Sequence, residues 1–356
     1  MVWPLQRTSA MRAARIVLAT SALALAIAAP QAEAGRRAAP APEHKGSTYL
    51  SPISKNRRIV GFTRSSSRPK SFLRRTRDAL VTTFGKKGTS AALPETTLWI
   101  PGHTLGWRSL RPAMKHFLGN PANGEVAAVY VAKEGRFRAN KPSGRVLSDA
   151  EVRATKLVTV QFSNPRAGQA VKSVEIASAV RALRQARGGE GRMPLRVVTH
   201  SAGDTHFRAA LMDHIDPQRD GIKITGVVAV GPVFAGTWTG NVGNSKLGGL
   251  LGMRTAASEL AEGSPFLARL ESSREAIDAK IEGQRIDIAY EGAPTLRLRG
   301  RQHVAPGDGF VQSRNTHRPG TRTLILRGID PTVGNHLGQI MYPGTVKAVE
   351  EALTAP

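Results

Sequence analysis

From residue 96 onward, short apolar runs alternate with segments in which apolar residues recur at helical spacing. The predicted strands are Thr97–Ile100, Glu125–Ala132, Leu157–Phe162, Leu195–Val198, Ile224–Val230, Arg285–Tyr290 and Thr323–Leu326. The predicted helices are 168–187, Ala202–His214 and Thr345–Leu353, and the apolar positions of the first are Val171, Val174, Ile176, Val180 and Leu183. This alternation is typical of the α/β class, in which helices cover both faces of a largely parallel sheet.

Residues 233–283 interrupt this alternation. They are rich in glycine at first and then apolar without the period of a strand. We therefore expect one α/β domain over residues 96–356, with 233–283 as an insertion that lies over the sheet.

The first 34 residues have the three-part pattern of a secretory signal peptide. Arg7, Arg12 and Arg15 precede an apolar run at Ile16–Ala29, and a small-residue cleavage site ends at Ala34. The run is shorter than the about 20 residues of a membrane span. We expect cleavage after Ala34 and a secreted or periplasmic protein; an uncleaved anchor and an organelle-targeting segment are the alternatives.

Residues 35–95 are expected to form a basic arm and linker. Twelve Lys and Arg occur in residues 35–80, against only Glu43 and Asp78, and four prolines interrupt them. The whole chain carries 51 Lys and Arg against 26 Asp and Glu, a net charge of +25. Such a charge favours an anionic partner, either a membrane surface or an acidic polysaccharide. Nucleic acid is not expected, because aromatic residues are only 5% and are not interleaved with the basic runs.

The segment Val197–Gly203 is a variant of the G-x-S-x-G motif, with Thr199 in the first position. An apolar strand precedes it and a helix follows, as this motif requires. The sharp turn between them exposes the hydroxyl of the central serine. Ser201 is therefore the candidate nucleophile, and the chain has no Cys that could supply a thiol instead.

A serine nucleophile needs a histidine base, which a carboxylate orients, and in this arrangement the order along the chain is Ser, acid, His. His336 follows the last predicted strand and precedes the closing helix, which is the expected place for the base. Asp308, in a turn flanked by glycines, is the first candidate for the acid. Glu291 is the second and Asp330 the third.

The oxyanion hole requires backbone N–H groups that face the developing negative charge. One is expected from Ala202, directly after the nucleophile. The other is expected from His103, in the loop that follows the first strand at Pro101-Gly102. The imidazole of His103 is expected to pack within that loop rather than to bind a metal.

These motifs together resemble those of bacterial lipases and esterases of the α/β-hydrolase superfamily. The similar segments are Leu98–His103, Val198–Asp204, Val230–Thr237, Glu259–Leu267, Asp308–Val311 and Asn335–Leu337. Asp204 stands where many members have a second glycine, and Pro101 where many have histidine. The resemblance implies the α/β-hydrolase fold and gives the insertion at 233–283 the place of a lid.

The expected function is hydrolysis of carboxylic esters, with acyl lipids favoured because the insertion is apolar and resembles a lid. No cofactor is expected. No metal is expected either, because Asp213, Asp216 and Asp220 lack the spacing of an EF-hand. Two alternatives remain: an acyltransferase with the same triad, and a protein that binds anionic surfaces or nucleic acid on an inactive hydrolase scaffold.

Overall fold

The structure, a computed structural model, describes residues 59–60, 90–103, 106–237, 254–291, 297–298, 301–302, 316, 321–327, 340 and 343–354. Within them, nine strands form one sheet: β1 (Ile59–Val60), β2 (Thr96–Ile100), β3 (Ala128–Val131), β4 (Arg136–Ala139), β5 (Leu157–Gln161), β6 (Met193–His200), β7 (Ile222–Val230), β8 (Gln284–Glu291) and β11 (Arg322–Arg327). The remaining strands, β9 (Arg297–Leu298) and β10 (Arg301–Gln302), form an antiparallel pair in a separate compact unit.

The strand order in the sheet is β1-β11-β8-β7-β6-β2-β5-β3-β4. Every neighbouring pair is parallel except β3 and β4. Since β2, β6, β8 and β11 run in the same direction, their carboxyl ends lie at one edge of the sheet. Ser201 follows β6 at this edge, where the chain also leaves β2, β8 and β11.

Helices cover both faces of the sheet. The described helices are α1 (Arg111–Phe117), α2 (Asp149–Ala154), α3 (Gln169–Arg187), α4 (Ala202–Asp213), α5 (Arg254–Glu259), α6 (Pro265–Ser272), α7 (Arg274–Asp278) and α8 (Pro343–Thr354). Because successive strand residues point to opposite faces, Val197 packs with Ile176 of α3 and Phe207 of α4. Val198 belongs to the core on the other face, with Phe117 of α1. The predicted α/β architecture is confirmed.

The buried face of α3 differs from the prediction at its amino-terminal end. Val171 and Val174 are 46% and 47% exposed, so the assignment of both to the apolar face is wrong. The buried stripe instead contains Lys172, which is fully buried, followed by Ile176 and Val180. Helical periodicity places residues 172, 176 and 180 on one side, and a polar residue begins that row.

Two edge strands were not predicted from the sequence. The strand β4 has only Phe137 as a buried apolar residue, and it joins β3 through a turn at Gly135, where φ is +66°. The strand β1 lies within the segment expected to be a basic arm, and Ile59 pairs with Ile325 of β11. Short edge strands with few apolar residues give little signal in the hydrophobic pattern.

The described part of the insertion consists of α5, α6 and α7. Ser264 caps α6, because its Oγ accepts a hydrogen bond of 3.2 Å from the backbone N–H of Leu267. Leu267, Leu270 and Ile277 are buried in the same core cluster as Phe207 of α4. These helices are therefore packed against the domain. Among the described residues, no helix is long and apolar enough to cross a membrane.

Candidate active site

Ser201 occupies the turn between β6 and α4 in a backbone conformation that is unusual for a residue with a side chain. Its φ is +57° and its ψ is −132°. Within the described residues, Asn140 is the only other non-glycine residue with positive φ. The backbone N–H of Ser201 donates to the carbonyl of Val230 at 2.9 Å, and the carbonyl of Ser201 accepts from Asp204 at 3.1 Å. Such strain persists where surrounding structure enforces it, and it is characteristic of a nucleophile turn.

Two glycines allow the backbone segments around Ser201 to approach each other closely. A Cβ on Gly203 would lie 2.5 Å from the carbonyl oxygen of Ile100. A Cβ on Gly102 would lie 2.9 Å from the Cβ of Ser201 and 3.0 Å from the carbonyl oxygen of His200. The loop after β2 therefore rests directly on the nucleophile turn, and a side chain at either glycine would separate them.

Thr199, which departs from the usual glycine of the motif, is fully buried within β6. It pairs with Ala229 and Ile100 as an ordinary strand residue and does not have positive φ. Since no left-handed conformation is required there, a β-branched residue is accommodated. His200, the next residue, is also fully buried.

Of the two residues expected to form the oxyanion hole, Ala202 directly follows Ser201, and His103 directly follows Gly102, which lies against Ser201. Ala202 is the first residue of α4, and the first N–H groups of a helix have no partner within the helix. His103 follows Gly102 in the loop that contacts Ser201. The positive end of a helix and a close backbone loop are the features that stabilise a negative oxygen.

The imidazole of His103 contacts a buried cluster that the sequence analysis missed. Nζ of Lys172 lies 3.0 Å from Nδ1 of His103 and 3.4 Å from Nε2 of His206, a residue of α4. The ammonium group also lies 5.5 Å from the centre of the Phe162 ring. Lys172 lies one helical turn before Ile176, but the sequence alone did not indicate which face of the helix is buried.

Burial alters the protonation of this cluster. Burial, together with the charges of Lys172 and Arg166, lowers the pKa of His103 to about 3. Burial and the same lysine hold the pKa of His206 well below its usual value. Burial lowers the pKa of Lys172 to about 7, although Glu259 and Glu175 oppose this shift. Both imidazoles are therefore neutral at neutral pH.

A second buried polar group supports the other side of the nucleophile turn. Arg285 of β8 donates to Asp204 at 2.8 Å and to Asp287 at 3.0 Å, and both carboxylates are fully buried. The guanidinium also stacks over the ring of Phe234 at 5.1 Å. Burial alone would lower the pKa of Arg285, but the two carboxylates outweigh it and raise that pKa. Asp204, which replaces a frequent glycine, thus has a charged partner.

The residues expected to complete a triad lie outside the described residues. This applies to Asp308, to His336 and to the third candidate acid, Asp330. Glu291 is the last residue of β8, and only its backbone is described. Along the chain, Asp308 falls between β8 and β11, and His336 falls between β11 and α8. Among the described residues, no group of three or more His, Asp or Glu could hold a metal ion.

Comparisons with known proteins agree with this architecture. No protein-family model and no curated protein matches the chain. The product of gene lin2722 from Listeria innocua is similar over 74% of this chain and 94% of its own, at 14% identity with a TM-score of 0.50. The mature lipase BlEst2 of Bacillus licheniformis covers 74% of this chain and 94% of its own, at 16% identity with a TM-score of 0.43. Phospholipase PlaB of Legionella pneumophila is similar over 75% of this chain and 60% of its own, at 14% identity with a TM-score of 0.47.

At such identities the likeness to the Listeria protein is one of fold. This chain itself has the mostly parallel sheet and the strand–turn–helix at Ser201 that the motifs predicted. The expectation drawn from the sequence motifs is confirmed: the chain has the fold of the α/β-hydrolase superfamily.

Proposed function

We propose that the protein is a serine hydrolase that cleaves carboxylic esters, with Ser201 as the nucleophile. The observation that carries this proposal is the strained conformation of Ser201, at φ +57°, in direct contact with the loop of Gly102. A serine without a chemical role would not require positive φ, which costs about 1–3 kcal/mol. The surrounding chain maintains that strain through the close approach of Gly102 and Gly203.

In the proposed reaction, Oγ of Ser201 attacks the acyl carbonyl carbon and His336 accepts the serine proton. The carbonyl oxygen becomes an oxyanion that accepts hydrogen bonds from the backbone N–H groups of Ala202 and His103. When the tetrahedral intermediate collapses, the bond to the alcohol breaks and His336 protonates the leaving oxygen. Water then attacks the acyl-enzyme, with His336 again as the base, and releases the acid.

Asp308 is proposed to orient His336 through a hydrogen bond to Nδ1. This assignment is supported by connectivity. Asp308 lies between β8 and β11 along the chain, after β9 and β10, and His336 follows β11; both β8 and β11 run parallel to β6, which leads to Ser201. Their carboxyl ends are therefore at the edge of the sheet where Ser201 lies. The neutral His103 and His206 are fixed by Lys172 and are not proposed as bases.

Acyl lipids are the proposed substrate class, and the insertion is the reason. The insertion 233–283 has an apolar sequence, with Leu247, Leu250 and Leu251 among its residues, and it resembles the lid region of lipases. We further propose that the protein is exported and that its signal peptide is cleaved after Ala34. We also propose that the basic segment 35–80 binds an anionic surface. Weaker binding of a chain without residues 35–55 to anionic vesicles at low salt would support that role, whereas unchanged binding would contradict it.

The proposal is tested with purified protein and p-nitrophenyl esters from acetate to palmitate. Wild-type protein is expected to hydrolyse them, and Ser201→Ala is expected to lose about 10³-fold or more in kcat while remaining folded. Ser143→Ala, at an exposed serine, is the matched control and should keep full activity. Absence of turnover with every ester would favour the inactive scaffold, and transfer of the acyl group to an added alcohol in preference to water would favour an acyltransferase.

A further inference from the structure

Lys172 is an unusual residue for the interior of this fold. Its side chain is fully buried, yet no carboxylate among the described residues forms an ion pair with it. Its hydrogen-bond partners are two ring nitrogens, Nδ1 of His103 at 3.0 Å and Nε2 of His206 at 3.4 Å. Burying a charged group is costly when the opposite charges near it, here Glu175 and Glu259, do not contact it directly. A side chain retained at such a cost is expected to do something that an apolar residue could not.

The hydrogen-bonding chemistry of lysine fixes the tautomers of both imidazoles. A lysine ammonium has three donors and no acceptor, so Nδ1 of His103 accepts and its proton is on Nε2. In His206, Nε2 likewise accepts, and Nδ1 donates to the amide oxygen of Gln169. Burial lowers the pKa of Lys172 to about 7, but the neutral amine keeps two N–H donors and can make the same two contacts.

The cluster connects the proposed oxyanion loop to three helices. His103 belongs to the loop after β2, His206 to α4 and Lys172 to α3. The chain of contacts continues to α5, because Glu259 accepts a hydrogen bond of 2.7 Å from the backbone N–H of Gln169. The loop contains a glycine on each side of His103, at positions 102 and 106, and Gly106 has a φ of +58°. Since Gly102 has no side chain, the side chain of His103 supplies a contact that can anchor this part of the chain.

The position of His103 makes this anchor relevant to chemistry. The peptide group between Gly102 and His103 carries the N–H that is proposed to bind the oxyanion. On one side of that peptide, Gly102 contacts Ser201. On the other, the side chain of His103 is attached to Lys172 in the core. These two contacts flank the peptide on either side and hold the chain that carries it.

We propose that Lys172 is a positioning residue for the oxyanion hole: through Nδ1 of His103, it holds the backbone N–H of that residue toward the oxygen of the reacting acyl group. This inference rests on the proposed serine hydrolase function. Lys172 does not touch the substrate, and it acts through a loop whose side-chain anchor it supplies. Its removal would misplace one oxyanion donor without removing it.

The variant Lys172→Met tests this role, because methionine has a similar length but no donor. We expect kcat for a short soluble ester to fall by about 10- to 100-fold, since misplaced or absent oxyanion donors cost rate in this range. KM should change by less than about threefold, because the interaction is made in the transition state. Lys156→Met is the matched control: Nζ of Lys156 donates to a backbone carbonyl, that of Leu93, at the opposite edge of the sheet.

A double-mutant cycle separates this role from simple core packing. His103→Leu removes the acceptor and keeps the backbone N–H. If Lys172 acts through His103, the double variant should lose no more kcat than the worse single variant, whereas independent effects multiply. In the wild-type protein without substrate, NMR of the imidazole nitrogens should show His103 as the Nε2–H tautomer. This measurement uses no variant, so it does not require that a variant fold.

The outcomes distinguish this inference from the proposed function. If wild-type protein has no turnover, the proposed function fails, and the inference fails with it. If wild-type protein is active but Lys172→Met leaves kcat unchanged, only the inference fails. A charged imidazole at His103, or its Nδ1–H tautomer, would also overturn the inference while leaving Ser201 as the nucleophile.

Discussion

Arg285 donates a hydrogen bond of 2.8 Å to the buried carboxylate of Asp204, and this contact joins strand β8 to the first turn of the helix that begins after Ser201. The same guanidinium bonds Asp287 at 3.0 Å. One buried cation thus fixes α4 relative to β8, the strand from which the connection carrying Asp308 departs. A second buried cation, Lys172, contacts His103 in the loop after β2.

Removal of Arg285 is expected to be strongly destabilising. Arg285→Met removes the cation that contacts the buried carboxylates of Asp204 and Asp287, and breaking a buried ion pair in this way costs about 3–5 kcal/mol. The free energy of unfolding in urea measures the effect. Arg145→Ala, which breaks an exposed pair with Glu151, is the control and should cause a much smaller loss. Equal losses would show that the buried network does not stabilise the fold.

The close approach of Gly102 to Ser201 gives a prediction about activity. Gly102→Ala places a Cβ 2.9 Å from the Cβ of Ser201, so the loop must move, and kcat should fall by about 10-fold or more. Gly135→Ala is the control, because its φ is +66° but nothing lies within 4 Å of the added Cβ. It should lose about 1–2 kcal/mol of stability and keep its kcat. The same kcat in Gly102→Ala and wild-type protein would mean that the loop is not part of the site.

The buried cluster predicts how stability depends on pH. The pKa of His103 is about 3 in the folded protein and 6.5 ordinarily, so the unfolded chain binds more protons between these values and stability falls as pH drops below 6.5. The pKa of Lys172 is about 7 against an ordinary 10.5, so its contribution makes stability rise between pH 7 and 10.5. The charged groups that face this cluster are Arg166, Glu175 and Glu259.

Urea unfolding between pH 5 and 10 measures both effects. The alkaline rise should be reduced in Lys172→Met and retained in Lys156→Met. If the two variants have the same pH profile as wild-type protein, Lys172 is not titrating with a lowered pKa.

The identity of the acid in the triad is decided by two conservative substitutions. Asp308→Asn is expected to lower kcat by about 10⁴-fold at neutral pH, because the base then takes the wrong tautomer. Glu291→Gln should lose little. Circular dichroism checks that both variants remain folded. The opposite ranking would transfer the role to Glu291, and small losses in both would exclude the two residues as partners of His336.

Much of the fold was predictable because buried parallel strands are continuous apolar runs. The strands β2, β6 and β7, and the helix that follows Ser201, appear in the sequence within a few residues of their observed bounds. The nucleophile turn was predictable because its glycine and serine have fixed spacing. Both signals are local in sequence.

The supports of the site were not predictable, because they depend on long-range contacts between single polar residues. Lys172 contacts His103, which is 69 residues away in the sequence, and Arg285 contacts Asp204, which is 81 residues away. The exposure of Val171 and Val174 has the same origin: the face of α3 that is buried is decided by where the helix packs. Lys172 could be recognised as buried only once that face was known.

The most direct test of the central claim is covalent labelling of Ser201 with a fluorophosphonate probe, followed by mass spectrometry of the labelled peptide. Wild-type protein is expected to be labelled on Ser201 and to lose ester hydrolysis in proportion, because the activated hydroxyl attacks phosphorus as it attacks an acyl carbon. Ser201→Ala should take no label, and Ser143→Ala should be labelled like wild-type protein. Labelling that persists in Ser201→Ala, or a folded wild-type protein that takes no label, would contradict the assignment of Ser201 as the nucleophile.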